Sequence, residues 1–347
     1  MIELGSRTEA KGRGGSATRG RAALARAYGL LGELIAGPLS EELIERACQS
    51  PLLGEAIGAA PSLDELAAEH HRAFEWSAFP HQGVYLDQGG WADGSSSLAL
   101  RTLFSRLGFV ARQDLPADHL TNLLGALALS LDRGDGEQID PALPGGAASI
   151  ELELLDGHLL RWLPGFVAAV CRLHLGFPVA LASQLEDLAL YHREILAAVV
   201  PASDFVLEPV PSLLDEPETS LADIATFLLS PVRSGLFLSR EDILFVVRSA
   251  GCFCGFGDRQ TMLLNALRTA VQHERLAELC AALSLLHRSW EERLESRVLV
   301  GLPEVFTRPW IARSTDSRAL LHVLGAAGRS FSSSTEAEPR GGGATES

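Results

Sequence analysis

Apolar residues recur every three or four positions through most of this chain, and that spacing is what most restricts its fold. The run Leu120, Leu123, Leu124, Leu127 and Leu131 is typical of the pattern. Such spacing places the apolar side chains on one face of an α-helix, whereas a half-buried strand needs strict alternation, which is scarce here. We therefore predict an all-α fold.

Helix start signals support this prediction. In a capping box, a serine and an acidic residue three positions later satisfy free amides of the first helical turn. Ser62 with Glu65, Ser220 with Asp223 and Ser239 with Asp242 are pairs of this kind.

The chain divides at residues 201–218, where prolines and acidic residues interrupt the helical pattern. Proline removes a helix donor and restricts the residue before it, so this stretch is predicted to be a linker. We predict a helical body at 22–200 and a second helical segment at 219–325. Residues 1–21 and 326–347 have few apolar residues and are predicted to be disordered tails.

The charge balance restricts the class of partner. The chain has 44 acidic and 29 basic residues, a net charge of −15, which argues against a nucleic-acid-binding protein. We find no secretory signal and no run of about 18 apolar residues, so we expect no stable membrane insertion. Five cysteines suit a reducing compartment. A cytoplasmic protein is expected.

An aromatic cluster around a proline turn is the first candidate site. Phe74, Trp76, Pro80 and Tyr85 lie close together in the sequence. Large rigid side chains of this kind are favoured at recognition surfaces. The alternative interpretation is that these residues are part of the core.

The second candidate is the pair Asp118 and His119, which follows Pro116 and opens the leucine-rich run. An aspartate here is expected to cap the next helix, and the histidine has a pKa suited to titration or hydrogen bonding near neutral pH. The alternative is a plain helix cap beside a surface histidine.

These segments, together with a histidine and tryptophan helix at residues 158–166, resemble the TorD/DmsD/NarJ family of redox-enzyme maturation chaperones over about residues 22–200. The hinge motif of that family, Glu-Pro-x-Asp-His, is similar to residues 115–119, where Leu115 replaces the glutamate. The resemblance implies a TorD-like helical bundle, here with an additional C-terminal helical segment. It also implies no catalytic residues, no cofactor and no metal.

The resemblance further implies a function. Members of the family bind the twin-arginine leader or N-terminus of a molybdenum-containing oxidoreductase subunit and hold it for cofactor insertion. The residues expected to contact such a client are Phe74, Trp76, Pro80, Tyr85, Asp118 and His119. A negative net charge would speed the encounter with a cationic peptide.

The second half of the chain supports other functional hypotheses. Cys252 and Cys254 form a Cys-x-Cys motif, and His273 follows, which leaves open a metal- or redox-sensing helical protein. The competing expectation is that Cys252, Phe253 and Phe256 pack into a glycine turn.

Asp258 is expected to cap the helix that follows this turn. A helical adaptor that binds a folded partner is the main alternative to the chaperone. No nucleophile elbow, zinc-protease helix or phosphate-binding loop is found, so an enzyme is not expected.

Overall fold

The computed structural model describes residues 7–60, 62–90, 92–133, 147–197, 205–210, 213 and 218–335, and within these it contains helices and no strand. The prediction of an all-α fold is confirmed. The closest approach to β structure in this part of the chain is an isolated antiparallel bridge between His81 and His119.

The described chain first forms ten α-helices interrupted by two π-helical segments. The π-helical segments are Arg72–Ser77 and Glu153–Leu159. The α-helices are α1 (Arg7–Ala36), α2 (Glu41–Ala47), α3 (Pro51–Ala59), α4 (Leu63–His71), α5 (Gln82–Leu86), α6 (Ser95–Leu107), α7 (Leu120–Arg133), α8 (Ala147–Leu152), α9 (Leu160–Cys171) and α10 (Gly176–Ala197).

Six further α-helices follow, with a short 3-10 turn at Glu304–Phe306. They are α11 (Leu221–Leu229), α12 (Pro231–Ser234), α13 (Arg240–Ser249), α14 (Arg259–Gln272), α15 (Leu276–Leu299) and α16 (Arg308–Thr335).

The helices group into two compact units that are not consecutive in sequence. Unit 1 contains the described residues up to Leu207 together with Ser296–Pro309, and unit 2 contains Glu208–Glu295 together with the chain from Trp310. Within unit 1, Arg297 at the end of α15 pairs with Glu186 and Asp187 of α10, at N···O distances of 2.8 and 2.9 Å. The end of α15 is therefore part of unit 1.

Side-chain caps explain several helix starts. Ser220 with Asp223 and Ser239 with Asp242 form complete capping boxes at α11 and α13. At α4 the amide of Glu65 donates to the Ser62 hydroxyl, which is half of the predicted box. These bonds satisfy amides that have no partner inside the helix.

The core of unit 1 is built around α9. Trp162 and Phe166 of this helix are fully buried. Residues Ile150–Cys171 have the length and hydropathy of a membrane span, but most of this stretch is buried inside the structure. That pattern is typical of the central helix of a folded core.

Three predicted segments differ from, or lie outside, the described structure. Helix α1 begins at Arg7, within the predicted tail, and Arg21 pairs with Glu151 at 2.7 Å. Helix α16 continues to Thr335, so the second predicted tail overlaps it. The predicted linker at 201–218 is described at 205–210, 213 and 218, and its other positions lie outside the described residues. The division at 22–200 and 219–325 stays a prediction.

Candidate functional site

Trp76 is the one exposed member of the predicted site. It lies on the π-helical segment Arg72–Ser77 that continues α4, and 58% of its surface is exposed. Its ring lies 5.9 Å from the ring of His71, whose Nδ1 atom is 3.0 Å from the Glu75 carboxylate. Single-turn π-helical segments occur frequently at functional sites. Together Trp76, His71 and Glu75 present an aromatic and acidic surface.

Phe74 lies on the opposite side of the same segment and is buried. It packs edge-on against His70 and is stacked near Phe166, with centroid distances of 5.0 and 6.0 Å. The Nε2 atom of His70 is 3.0 Å from the Leu34 carbonyl at the end of α1. Burial lowers the pKa of His70, so the neutral ring donates this hydrogen bond.

Pro80 and Tyr85 are also buried. The Pro80 carbonyl accepts a hydrogen bond from the Leu120 amide at 2.8 Å, which ties the proline turn to the start of α7. Tyr85 is stacked on Trp162, with a centroid distance of 5.3 Å. Both residues therefore fix the path of the chain around the turn.

Asp118 is fully buried and does not cap α7, contrary to expectation. Its Oδ2 atom accepts from the Gly83 amide at 2.9 Å, and its Oδ1 atom accepts from the Asp93 amide at 3.2 Å. Burial would raise the pKa of Asp118, but these amides and the nearby His81 ring outweigh burial and lower it. The carboxylate is therefore charged and joins the first turn of α5 and the loop at Asp93 to the hinge.

His119 caps α7 in place of Asp118. Its Nδ1 atom accepts a hydrogen bond from the Thr121 amide at 3.2 Å, and its ring packs edge-on against His81 at 4.7 Å. Burial, reinforced by the charge of His81, lowers the pKa of His119 to about 3. The residue is buried rather than on the surface, and it is neutral at neutral pH.

The sequence did not single out Gln82, which joins the proline turn to the second π-helical segment. Its Oε1 atom lies 3.2 Å from Nδ1 of His158, and both side chains are buried. Burial lowers the pKa of His158 to about 4, so the neutral ring donates to the amide oxygen. A polar residue directly after a proline turn is a weak signal, because glutamine occurs equally well on surfaces.

The sequence analysis also did not predict a second group of buried polar residues. Tyr28, His192 and Glu151 form a chain of hydrogen bonds of 3.1 and 2.8 Å, and Arg21 pairs with Glu151 at its other end. Burial would raise the pKa of Glu151, but His192 and Arg21 lower it. The sequence signal that could have revealed this group is the placement of Glu151 and His192 among apolar residues at helical spacing. This group ties α1, α8 and α10 together.

The glycine turn in unit 2 differs from expectation. Phe253 and Phe256 are 71% and 97% exposed, so the prediction that they pack into the turn is wrong. Gly251 and Gly255 do adopt positive φ angles, of 64° and 69°, as a tight turn requires. Asp258 accepts from the Thr261 amide at 2.7 Å and caps α14, which confirms the cap prediction.

The cysteines show no shared ligand geometry in the described part of the chain. Cys252 is half-buried and Cys254 is buried, and both are free thiols. Burial raises the pKa of each thiol, which disfavours the thiolate form that binds metals. Across the described residues, no three His, Cys, Asp or Glu side chains lie close enough together to hold a metal ion.

Comparison with known proteins gives a family match over the region that contains the hinge. Residues 39–168 match the nitrate reductase delta subunit family. This confirms the resemblance to NarJ/TorD-type maturation chaperones, and the match includes the aromatic turn, the Asp118 hinge and the helix of Trp162. The family is one of molybdoenzyme maturation chaperones and not of catalytic enzymes. No curated protein matches the chain significantly.

Within the span matched to this family, the structure separates the six predicted site residues into two groups. Trp76 is exposed, whereas Phe74, Pro80, Tyr85, Asp118 and His119 are buried. Their direct contact with a client stays a prediction. Phe74 anchors the segment on which Trp76 lies, and the contacts of the other four hold the turn that follows that segment.

Proposed function

We propose that this protein is a cytoplasmic chaperone that binds the twin-arginine leader or N-terminus of a molybdoenzyme catalytic subunit. In this proposal the protein holds that segment until cofactor insertion and assembly. The family match over residues 39–168 supports the class of function. The exposed Trp76 beside Glu75 is the observation that carries the client site.

The chemistry of this surface suits a cationic, partly apolar peptide. Trp76 supplies a large exposed ring, which attracts both apolar side chains and arginine cations. Glu75 supplies a carboxylate one residue away, and 62% of its side chain is exposed. The buried residues of the hinge take a positioning role, because their polar atoms are used within the protein.

Titration of the purified chain with synthetic leaders of molybdoenzyme subunits tests this proposal. Trp76→Ala should weaken binding roughly tenfold, because truncation of a central aromatic residue is typically costly at a peptide interface. Tyr191→Ala is the matched control, since Tyr191 is 57% exposed and lies on α10 of the same unit. Isothermal titration calorimetry measures both variants.

The outcome that contradicts the client site is equal binding by Trp76→Ala and the wild type. The outcome that contradicts the function is no binding of any leader, together with normal molybdoenzyme activity in a strain that lacks the gene. Either result can be read without assuming the other.

A second candidate function is the helical adaptor. Phe253 and Phe256, exposed on a glycine turn of unit 2, favour it because exposed aromatic rings are frequent at protein interfaces. If leaders do not bind but a neighbouring oxidoreductase subunit co-purifies, and Phe256→Ser abolishes that co-purification, the adaptor is the better description.

A further inference from the structure

Three exposed phenylalanines lie in or near the glycine turn that joins α13 to α14 in unit 2. Phe253 and Phe256 belong to the turn itself and are 71% and 97% exposed. Phe245 lies in the second half of α13 and is 62% exposed. Clusters of exposed apolar side chains mark surfaces that bind a protein or a membrane. The shape and the charge of the turn distinguish between these two partners.

Open space surrounds the turn. A Cβ atom added at Gly251 would meet no other atom within 4 Å, and one added at Gly255 would meet the Asn265 side chain at 3.8 Å. Phe256 stands between two glycines with positive φ angles, Gly255 and Gly257. The rings therefore project from an open turn instead of lining a groove. A protein interface needs a fixed and complementary shape, whereas lipids rearrange around the group that enters them.

The charge of the turn suits a phospholipid surface. Arg248 is the only charged residue between Asp242 and Asp258, so the acidic residues that give the chain its net charge of −15 lie outside this stretch. The two aspartates at its ends are used as helix caps, Asp242 with Ser239 and Asp258 with the Thr261 amide. The stretch itself therefore contains no carboxylate that would repel lipid phosphates.

Arg248 places a cation among the exposed rings. It is exposed and lies one helical turn after Phe245, on the same face of α13. Burial raises the pKa of the Cys254 thiol and the charge of Arg248 opposes that rise, so Arg248 is also close to the turn. No described side chain forms an ion pair or a hydrogen bond with its guanidinium. Segments that lie on membrane surfaces combine aromatic rings and cations in this way.

We propose that the turn between α13 and α14 docks this protein reversibly on a bilayer that contains anionic phospholipid. Phe253 and Phe256 enter the boundary between the head groups and the acyl chains, and Arg248 pairs with a lipid phosphate. Two rings and one cation give a weak association and not a stable insertion. This docking goes beyond the function proposed above and does not rest on it.

Co-sedimentation of the full chain with lipid vesicles tests the docking. We expect binding to vesicles made of equal parts of phosphatidylcholine and phosphatidylglycerol, and weaker binding to phosphatidylcholine alone. Added salt should reduce the binding to the anionic vesicles, because it screens the attraction between Arg248 and the lipid phosphates. No binding to either kind of vesicle would overturn the proposal.

Truncation of one ring tests whether the turn enters the bilayer. Phe256→Ser should weaken vesicle binding about tenfold or more, because the ring no longer moves from water into an apolar environment. Leu285→Ser is the matched control, since Leu285 is 64% exposed and lies on α15 of the same unit. Circular dichroism should show that both variants remain folded. Unchanged binding by Phe256→Ser, or an equal loss in the control, would overturn the role of the turn.

Removal of the cation tests the contact with the head groups. Arg248→Gln should weaken binding to the anionic vesicles about fivefold, the factor that one arginine contributes near an anionic surface. Its binding to phosphatidylcholine vesicles should be unchanged. Arg268→Gln removes an exposed arginine from the second half of α14 and should have a smaller effect. Equal weakening by the two variants would contradict a specific contact with Arg248.

The same assays separate the bilayer from a protein partner and from the client. If no vesicle binds but Phe256→Ser abolishes co-purification of an oxidoreductase subunit, the rings bind a protein and the docking proposal is overturned. If vesicles bind but no leader does, the docking stands and the client assignment is wrong. If leaders bind but vesicles do not, the client assignment stands and the docking proposal is overturned.

Discussion

Two aromatic-rich segments of this molecule differ in how far their rings are buried. The segment from Phe74 to Tyr85 in unit 1 combines aromatic residues with a proline and a glycine; Phe74 and Tyr85 are buried, whereas Trp76 is exposed. The turn from Phe253 to Phe256 in unit 2 combines them with glycines, and its rings are exposed. Aromatic composition alone therefore does not decide burial.

The difference in burial comes from the groups that pack against each segment. In unit 1 the Asp118 carboxylate satisfies the Gly83 amide, the Leu120 amide of α7 donates to the Pro80 carbonyl, and Trp162 and Phe166 of α9 pack against Tyr85. A turn can be buried only when its backbone groups find such partners. In unit 2 the Cys252 amide donates to the Val247 carbonyl, a partner within the same helix end, and the rings remain in solvent.

The largest expected effect comes from truncation of a ring in each turn. Phe74→Ala should lower the free energy of unfolding by about 3–5 kcal/mol, because it leaves a cavity beside Phe166. Phe256→Ala should change it by less than about 0.5 kcal/mol, because its ring is in solvent. Urea denaturation followed by circular dichroism measures both. Similar losses for the two variants would remove the contrast.

The next effect concerns the carboxylate that closes the first turn. Asp118→Ala should cost about 2–4 kcal/mol, because the buried Gly83 amide and the part-buried Asp93 amide lose their acceptor. Asp258→Ala, which removes an exposed helix cap from α14, should cost about 1 kcal/mol. Asp118→Asn keeps an acceptor oxygen and should fall between them. A smaller loss at Asp118 than at Asp258 would contradict the closing role.

The smallest effect is a pH dependence specific to unit 1. His158 has an ordinary pKa of 6.5 when unfolded and a pKa of about 4 when folded. The unfolded chain therefore takes up its proton first, and stability is lost as the pH falls from 6.5 towards 4. His158→Gln should reduce the stability loss between pH 7 and pH 5 by about 1–2 kcal/mol.

His71→Gln is the control for this pH dependence, because the His71 side chain is exposed in the folded chain. Denaturation midpoints at the two pH values test both variants. An unchanged pH dependence in His158→Gln would show that the buried, neutral state of this ring does not contribute.

The sequence predicted the fold well because helical spacing and caps are local signals. The pairs Ser220 with Asp223 and Ser239 with Asp242 each span one turn, and both form as complete boxes. Nothing outside the turn decides them. The Asp258 cap follows the same logic.

The candidate site was less predictable because its contacts are not local. The Asp118 carboxylate accepts hydrogen bonds from the amides of Gly83 and Asp93, and Gln82 lies beside His158. Each partner comes from a distant part of the sequence. The local sequence predicted that Asp118 caps α7, whereas the structure shows that His119 supplies the cap. The exposure of Phe253 and Phe256 likewise depends on whether another part of the chain packs over them, which periodicity does not report.

The return of Ser296–Pro309 to unit 1 affects how the chain is made as well as how it packs. Arg297 pairs with Asp187 across 110 residues of sequence. A ribosome must therefore synthesise the first part of unit 2, Glu208–Glu295, before unit 1 can acquire its last helical contacts. Unit 1 begins to fold first and is completed late, and a fragment that stops at residue 200 lacks the guanidinium that neutralises Glu186 and Asp187.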